Sequence, residues 1–110
     1  MKILENIINQ TGVLKLIGRL DASAVVILKE NVNSLIQRKI TSIVIDMNEV
    51  DFMDSSGLGS LVSCLRMVND ENGDLKLTSL QDKIRGLMEL TRLHRVFKIY
   101  DDCESALNDL

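Results

Sequence analysis

The order in which strand-like and helix-like segments follow one another limits this chain more than any single motif does. β-rich runs at Ile3 to Asn9 and Val13 to Arg19 predict two strands. Gln10, Thr11 and Gly12 separate them, and the glycine suits a tight hairpin connection, so the opening pair is expected to be antiparallel. From Ala22 to about Arg38, the residues Val25, Leu28, Val32, Leu35 and Ile36 recur on one face at helical spacing, with Asp21 or Ser23 as N-cap. Ser42 to Asp46 contains Ile43-Val44-Ile45, a continuous β-branched run that predicts a strand covered on both faces at the sheet centre. After a connection through Val50, Phe52 and Met53, a helix from about Ser55 to Asn69 buries Leu58, Leu61, Val62, Leu65 and Val68, and Glu71-Asn72-Gly73-Asp74 stops it. A strand at Leu75 to Thr78, a helix at Gln81 to Leu90, a strand at Val96 to Tyr100 and a helix at Cys103 to Leu110 complete the order β-β-α-β-α-β-α-β-α. The cluster Leu87, Met88, Leu90, Leu93, Val96 and Phe97 reads as core.

Strands that alternate with helices require right-handed crossovers, which make a sheet mainly parallel. The expected fold is therefore α/β: a sandwich of about five strands and four helices, the sheet mixed but mainly parallel with an antiparallel edge strand. No proline, Gly/Ser-rich linker, charge block or repeat interrupts the 110 residues, so one domain spanning 1–110 is expected.

Composition excludes several classes of function. The longest apolar run, Ala24 to Leu28, is far short of the roughly 20 residues of a membrane span. Met1-Lys2-Ile3-Leu4-Glu5-Asn6 carries an early acid and no small-residue cleavage site, so the cytoplasm is the expected location. A net charge of −3 with 3% aromatic residues supplies neither a basic stripe nor stacking rings, which argues against nucleic acid as a partner. Cys64 and Cys103 lie in separate predicted helices without metal spacing and are expected to be free thiols.

The most unusual segment is Asp54-Ser55-Ser56-Gly57-Leu58-Gly59, where a connection turns into a helix. Asp and Ser suit that place because their oxygens accept bonds from the free N–H groups of the first turn. The two glycines are harder to explain, since each costs a helix about 1 kcal/mol relative to alanine; close backbone approach is one reason for them. On a helical wheel Ser56, Ser60, Ser63 and Met67 lie opposite the core stripe, an outward face of small residues fit to receive a partner. Ile27 and Val26 project from the edge of the first helix and are read as ordinary exposed apolar residues.

Phe52-Met53-Asp54-Ser55-Ser56-Gly57-Leu58-Gly59, together with Gly18-Arg19-Leu20-Asp21, resembles the anti-sigma factor antagonists of the STAS domain family, and the likeness extends over essentially the whole chain. It implies a STAS-like sandwich and a non-catalytic regulator without a cofactor of its own. Ser55 matches the serine that an anti-sigma factor phosphorylates, that factor being a serine kinase of the histidine-kinase-like ATPase fold. The unphosphorylated form would bind this kinase and free a sigma factor, and a PP2C-type phosphatase would restore it. The resemblance further implies that Asp21 and Asp54 contact the partner or shape the site; Ser56, Gly57, Gly59, Ser60 and Ser63 are the other candidate contacts. The same domain type serves partner-switching systems without a sigma factor, in secretion or surface-polymer control, and lipid-transport ATPases as a constitutive subunit.

Two catalytic arrangements fit the sequence less well. A hydrolase elbow would need glycine where Met53 stands, and the only histidine, His94, lies in a basic connection without an evident orienting acid. Asp46 ends the central strand as a receiver-domain phosphoacceptor would, but no paired acids follow the first strand to hold magnesium.

Overall fold

A two-residue hairpin starts the sheet. Strands β1 (Lys2–Ile8) and β2 (Thr11–Leu20) pair antiparallel, and Ile8 faces Thr11 across a turn made by Asn9 and Gln10 alone. Both turn residues have positive φ, 49° and 65°, as a primed turn demands. Gly12 is therefore not the turn glycine that the sequence predicts. It lies within β2, where a Cβ would come within 2.7 Å of Leu35 Cδ1, so it is there for packing.

The computed structural model describes residues 1–109, in which β3 (Ser42–Met53), β4 (Asp74–Thr78) and β5 (Lys98–Tyr100) extend the sheet in parallel. The order β1-β2-β3-β4-β5 puts β3 at the centre and the antiparallel strand at an edge, as expected. β3 does not end at Asp46: it continues to Met53, so the predicted connection through Val50 and Phe52 is strand. Beyond Asp46 it pairs with β2 alone, and two register shifts, at Lys15/Ile17 and Gly18/Arg19, each leave an extra residue on β3. Such bulges spoil the period-two alternation by which strands are read, although Met47, Val50 and Met53 are all buried.

Helices α1 (Val25–Gln37), α2 (Ser55–Asp70) and α3 (Asp82–Leu90) cover one face, over a core that includes Leu14 and Leu16 of β2, Ile43 and Ile45 of β3 and Leu75 and Leu77 of β4. On the other face lies α4 (Cys103–Asn108), whose Ala106 packs on Val13 and Val44. Lys76, buried in β4, donates to the Ala106 carbonyl at 2.9 Å and also to that of Asp109, tying down the end of α4. The predicted end of this helix, Leu110, lies outside the described residues.

Two packing expectations are corrected. Leu90 and Val96 are 81% and 55% exposed: Leu90 falls on the α3 face away from the buried Ile84 and Met88, and Val96 follows a left-handed Arg92 and a 3₁₀ turn, Leu93–Arg95; Met88 and Phe97 are core. In α2 the fully buried face is Gly57, Ser60, Leu61, Cys64 and Val68, while Leu58, Val62 and Leu65 pack against the same core as expected but are only half-buried. The helix is thus rotated relative to its hydrophobic stripe, and the reason lies at its first turn.

Candidate functional site

β2 and β3 run parallel with Arg19 beside Phe52 and Leu20 beside Met53, so Asp21 and Asp54 leave the sheet at the same edge. Each aspartate then caps the helical segment that follows. Asp54, in extended conformation, accepts the Gly57 N–H through Oδ1 at 3.0 Å, and its carbonyl accepts from the Leu58 N–H at 2.9 Å. Asp21 caps a single 3₁₀ turn, Ala22–Ala24: its Oδ1 accepts from the Ser23 N–H at 3.0 Å and the Ser23 hydroxyl at 2.6 Å. The hydroxyl bond, with a weaker contribution from Arg19, holds the Asp21 carboxyl below the usual carboxylate range. Arg19 Nε lies 3.5 Å from Asp21 Oδ2, and its guanidinium sits 3.8 Å above the centre of the Phe52 ring, a cation–π contact across the two strands.

Gly57 sets how closely α2 approaches this edge. A Cβ there would overlap the Leu20 carbonyl oxygen and stand 2.8 Å from its carbon, so only glycine fits. That contact turns the serine after it inward: Ser60 is 2% exposed and donates to the Gly57 carbonyl at 2.6 Å. Ser60 is accordingly not on the outward face that the helical wheel predicts, and Gly57 is buried as well. Ser55, Ser56 and Gly59 are exposed, and Asp21, Asp54 and Ser63 are half-buried. No heavy atom lies within 4 Å of where a Gly59 Cβ would stand.

The Ser55 side chain thus stands at the first position of a 16-residue helix, open to solvent. The N–H groups of a first turn lack helical partners and sit at the positive end of the helix dipole, so a dianion on that oxygen is compatible with the scaffold. His94 is exposed in the turn after α3 with Nδ1 3.4 Å from the Met88 carbonyl. Among the described residues no group of three or more His, Cys, Asp or Glu is placed to hold a metal ion. The Arg19–Phe52 stack and the Ser23 contact to Asp21 escaped the sequence reading, since Arg19 and Phe52 meet only through strand register.

The cap of α2 and the placement of the two cysteines each have a measurable consequence. Asp54→Ala removes the cap and is expected to lower stability by about 1 kcal/mol, read as a fall in Tm of roughly 4–8 °C. Burial pushes the Cys64 thiol up to about 12, whereas Cys103 is only partly covered. A mild alkylating reagent near neutral pH is expected to modify Cys103 first and Cys64 only under denaturant, as peptide mass mapping would record.

The mixed sheet thus carries two aspartate-capped helical starts out at the ends of neighbouring strands, with the exposed Ser55 opening the longer helix. The STAS domain family pattern matches residues 2–106, and the chain belongs to that family. It is a regulatory binding protein rather than an enzyme. It is similar to the anti-sigma F factor antagonist of Paenibacillus polymyxa, 27% identical over 99 residues that cover 89% of this chain and 85% of that one. A crystal structure from Thermotoga maritima has the same fold, with a TM-score of 0.91 and 24% identity over 97% of this chain and 92% of that one. So has the Bacillus cell fate determinant SpoIIAA in its phosphorylated form, with a TM-score of 0.76 and 23% identity over 97% of each chain. No helix among the described residues is long and apolar enough to cross a membrane.

Proposed function

We propose that this chain, acting as a single STAS domain, is an anti-sigma factor antagonist whose grip on its partner is controlled by phosphorylation of Ser55. Unphosphorylated, it binds a cognate anti-sigma factor, a serine kinase of the histidine-kinase-like ATPase fold, and so frees a sigma factor. Phosphorylation of Ser55 by that kinase releases it, and a PP2C-type phosphatase returns it to the binding form. The cycle runs on the partner's ATP, which places it in the cytoplasm and leaves this chain without a cofactor.

The observation that carries the reading is the exposed position of Ser55 at the start of α2, with Asp54 capping beside it. A phosphoserine brings about −1.5 to −2 charges and three acceptor oxygens. The helix start tolerates that group, so its effect falls on the docking surface rather than on the fold. Asp21, Asp54, Ser56, Gly59 and Ser63, exposed or half-buried, are the residues this reading assigns to that surface. Gly57 and Ser60 act from beneath it, the first by close packing and the second by its bond to the Gly57 carbonyl. The name of the Paenibacillus relative supports the antagonist role, and the likeness of this fold to SpoIIAA in both its unphosphorylated and its phosphorylated form supports a scaffold that keeps its shape when modified.

The test is to incubate the protein with ATP and each anti-sigma serine kinase of its own genome, then map the product by mass spectrometry. One phosphoryl group on Ser55, transferred by a kinase that also binds the unmodified chain, is the expected result. Modification elsewhere, or no transfer from any of them, overturns the assignment.

A further inference from the structure

Of the two glycines near the start of α2, the fold accounts for one. Gly57 lies against the Leu20 main chain, whereas Gly59 is exposed, with no heavy atom within 4 Å of where its Cβ would stand. Its φ is not positive, and α2 runs on unbroken through it to Asp70. Neither packing nor backbone conformation therefore asks for glycine at this position. After proline it is the least favourable residue for a helix interior, because it gives up the most conformational freedom on folding. What the missing side chain does is leave main chain bare beside Ser55. Gly59 follows Ser55 by four residues and Ser56 by three, spacings that make helix positions surface neighbours about 5–6 Å apart. All three residues are exposed.

Resting on the function proposed above, we infer that Gly59 is a clearance for the kinase: the rim of the kinase's active site packs directly on the α2 main chain at residue 59 while its donor phosphate reaches Ser55. The occupant follows from the reaction. Phosphoryl transfer requires the accepting oxygen and the donor phosphorus to come within about 3–3.5 Å of each other, in line. The Ser55 hydroxyl is held on a helix rather than on a projecting loop. An active site that closes to that distance therefore also comes down on the next turn of the same face, which begins at Gly59. A Cβ at residue 59 would hold the two surfaces apart there. A misplacement of about 1 Å costs roughly a hundredfold in rate, so one methyl group is enough to matter. Glycine at 59 thus weakens the helix and opens it to the kinase, and the same clearance serves the docked complex of the kinase with the unmodified chain.

The experiment compares the wild-type chain with Gly59→Ala and Gly59→Gln, both changes to good helix formers. It reads Tm, Kd for the kinase that modifies Ser55, and the rate at which that kinase phosphorylates the bound chain. Tm is expected to hold or rise in both variants. Gly59→Ala is expected to raise Kd at least roughly fivefold and to slow transfer at least roughly tenfold, and Gly59→Gln to do more of both. Kd and transfer rate within about twofold of wild type in both variants overturn the clearance and spare the switch. Unchanged Kd with slowed transfer would mean that glycine serves to let the first turns of α2 open toward the kinase, which also overturns the inference. So does a fall in Tm with Gly59→Ala, which would place the reason for glycine inside the fold. Failure of every kinase to bind or modify the wild-type chain overturns the switch and the clearance together.

Discussion

Ser55→Asp is expected to weaken capture of the anti-sigma kinase by a few hundredfold while leaving the far-UV spectrum unchanged. Asp21 and Asp54 already leave the sheet at the same edge, and Arg19, the nearby cation, is engaged by Asp21 and by the Phe52 ring. A further negative charge at residue 55 is therefore poorly compensated within an interface. Like-charge juxtaposition costs several kcal/mol, and about 3 to 4 kcal/mol corresponds to that loss of affinity. The fold meets the same charge differently. An acidic side chain in the first turn of a helix gains about 0.3–1 kcal/mol from the dipole, so Tm is expected to hold or rise slightly. Ser55→Ala, which cannot accept a phosphoryl group, is expected to bind and to stay bound in the presence of ATP. Kinase affinity by titration calorimetry, with circular dichroism on the same samples, separates the outcomes. Binding of Ser55→Asp within a factor of a few of wild type would point to a constitutive subunit instead of a switch.

The second large effect is structural. Gly57→Ala is expected to cost at least about 3 kcal/mol, the upper end of ordinary overpacking, because the added carbon meets main-chain atoms of Leu20 that no rotamer change can move. For a domain of this size that is a fall in Tm of roughly 12 °C or more. Gly59→Ala, two residues along the same helix with open space around it, is the matched control and is expected to stabilise by up to about 1 kcal/mol. Thermal and urea unfolding of the pair reads the difference directly. Equal stability of the two variants would mean that α2 can lift away from Leu20, and that the site is not held by this contact.

Much of the architecture was legible because it depends on local periodicity. The element order, the central Ile43-Val44-Ile45 strand and the antiparallel edge all stand as the hydrophobic pattern predicts. The Asp54 cap was legible for the same reason, since it rests on residues three apart in sequence. Misreadings gathered where nonlocal contacts override the local pattern. The turn needs positive φ at both Asn9, which adopts it readily, and Gln10, which rarely does, so the neighbouring Gly12 is the more obvious turn residue in the sequence. The half of β3 beyond Asp46 is hidden from the pattern because its two bulges make polar and apolar residues alternate irregularly. Leu90 and Val96 carry the composition of a core and the placement of a surface.

Residue types and their spacing were enough to determine the α/β order, the family likeness and the serine at a helix start. They act through hydrogen bonds and side-chain periods that span a few positions along the chain. Only the tertiary structure decided how α2 is turned on the sheet, which hid Ser60 and left Ser55, Ser56 and Gly59 open. The physical reason is that one main-chain contact, Gly57 against the Leu20 carbonyl, sets the helix rotation between segments nearly forty residues apart, a distance over which no local pattern carries information.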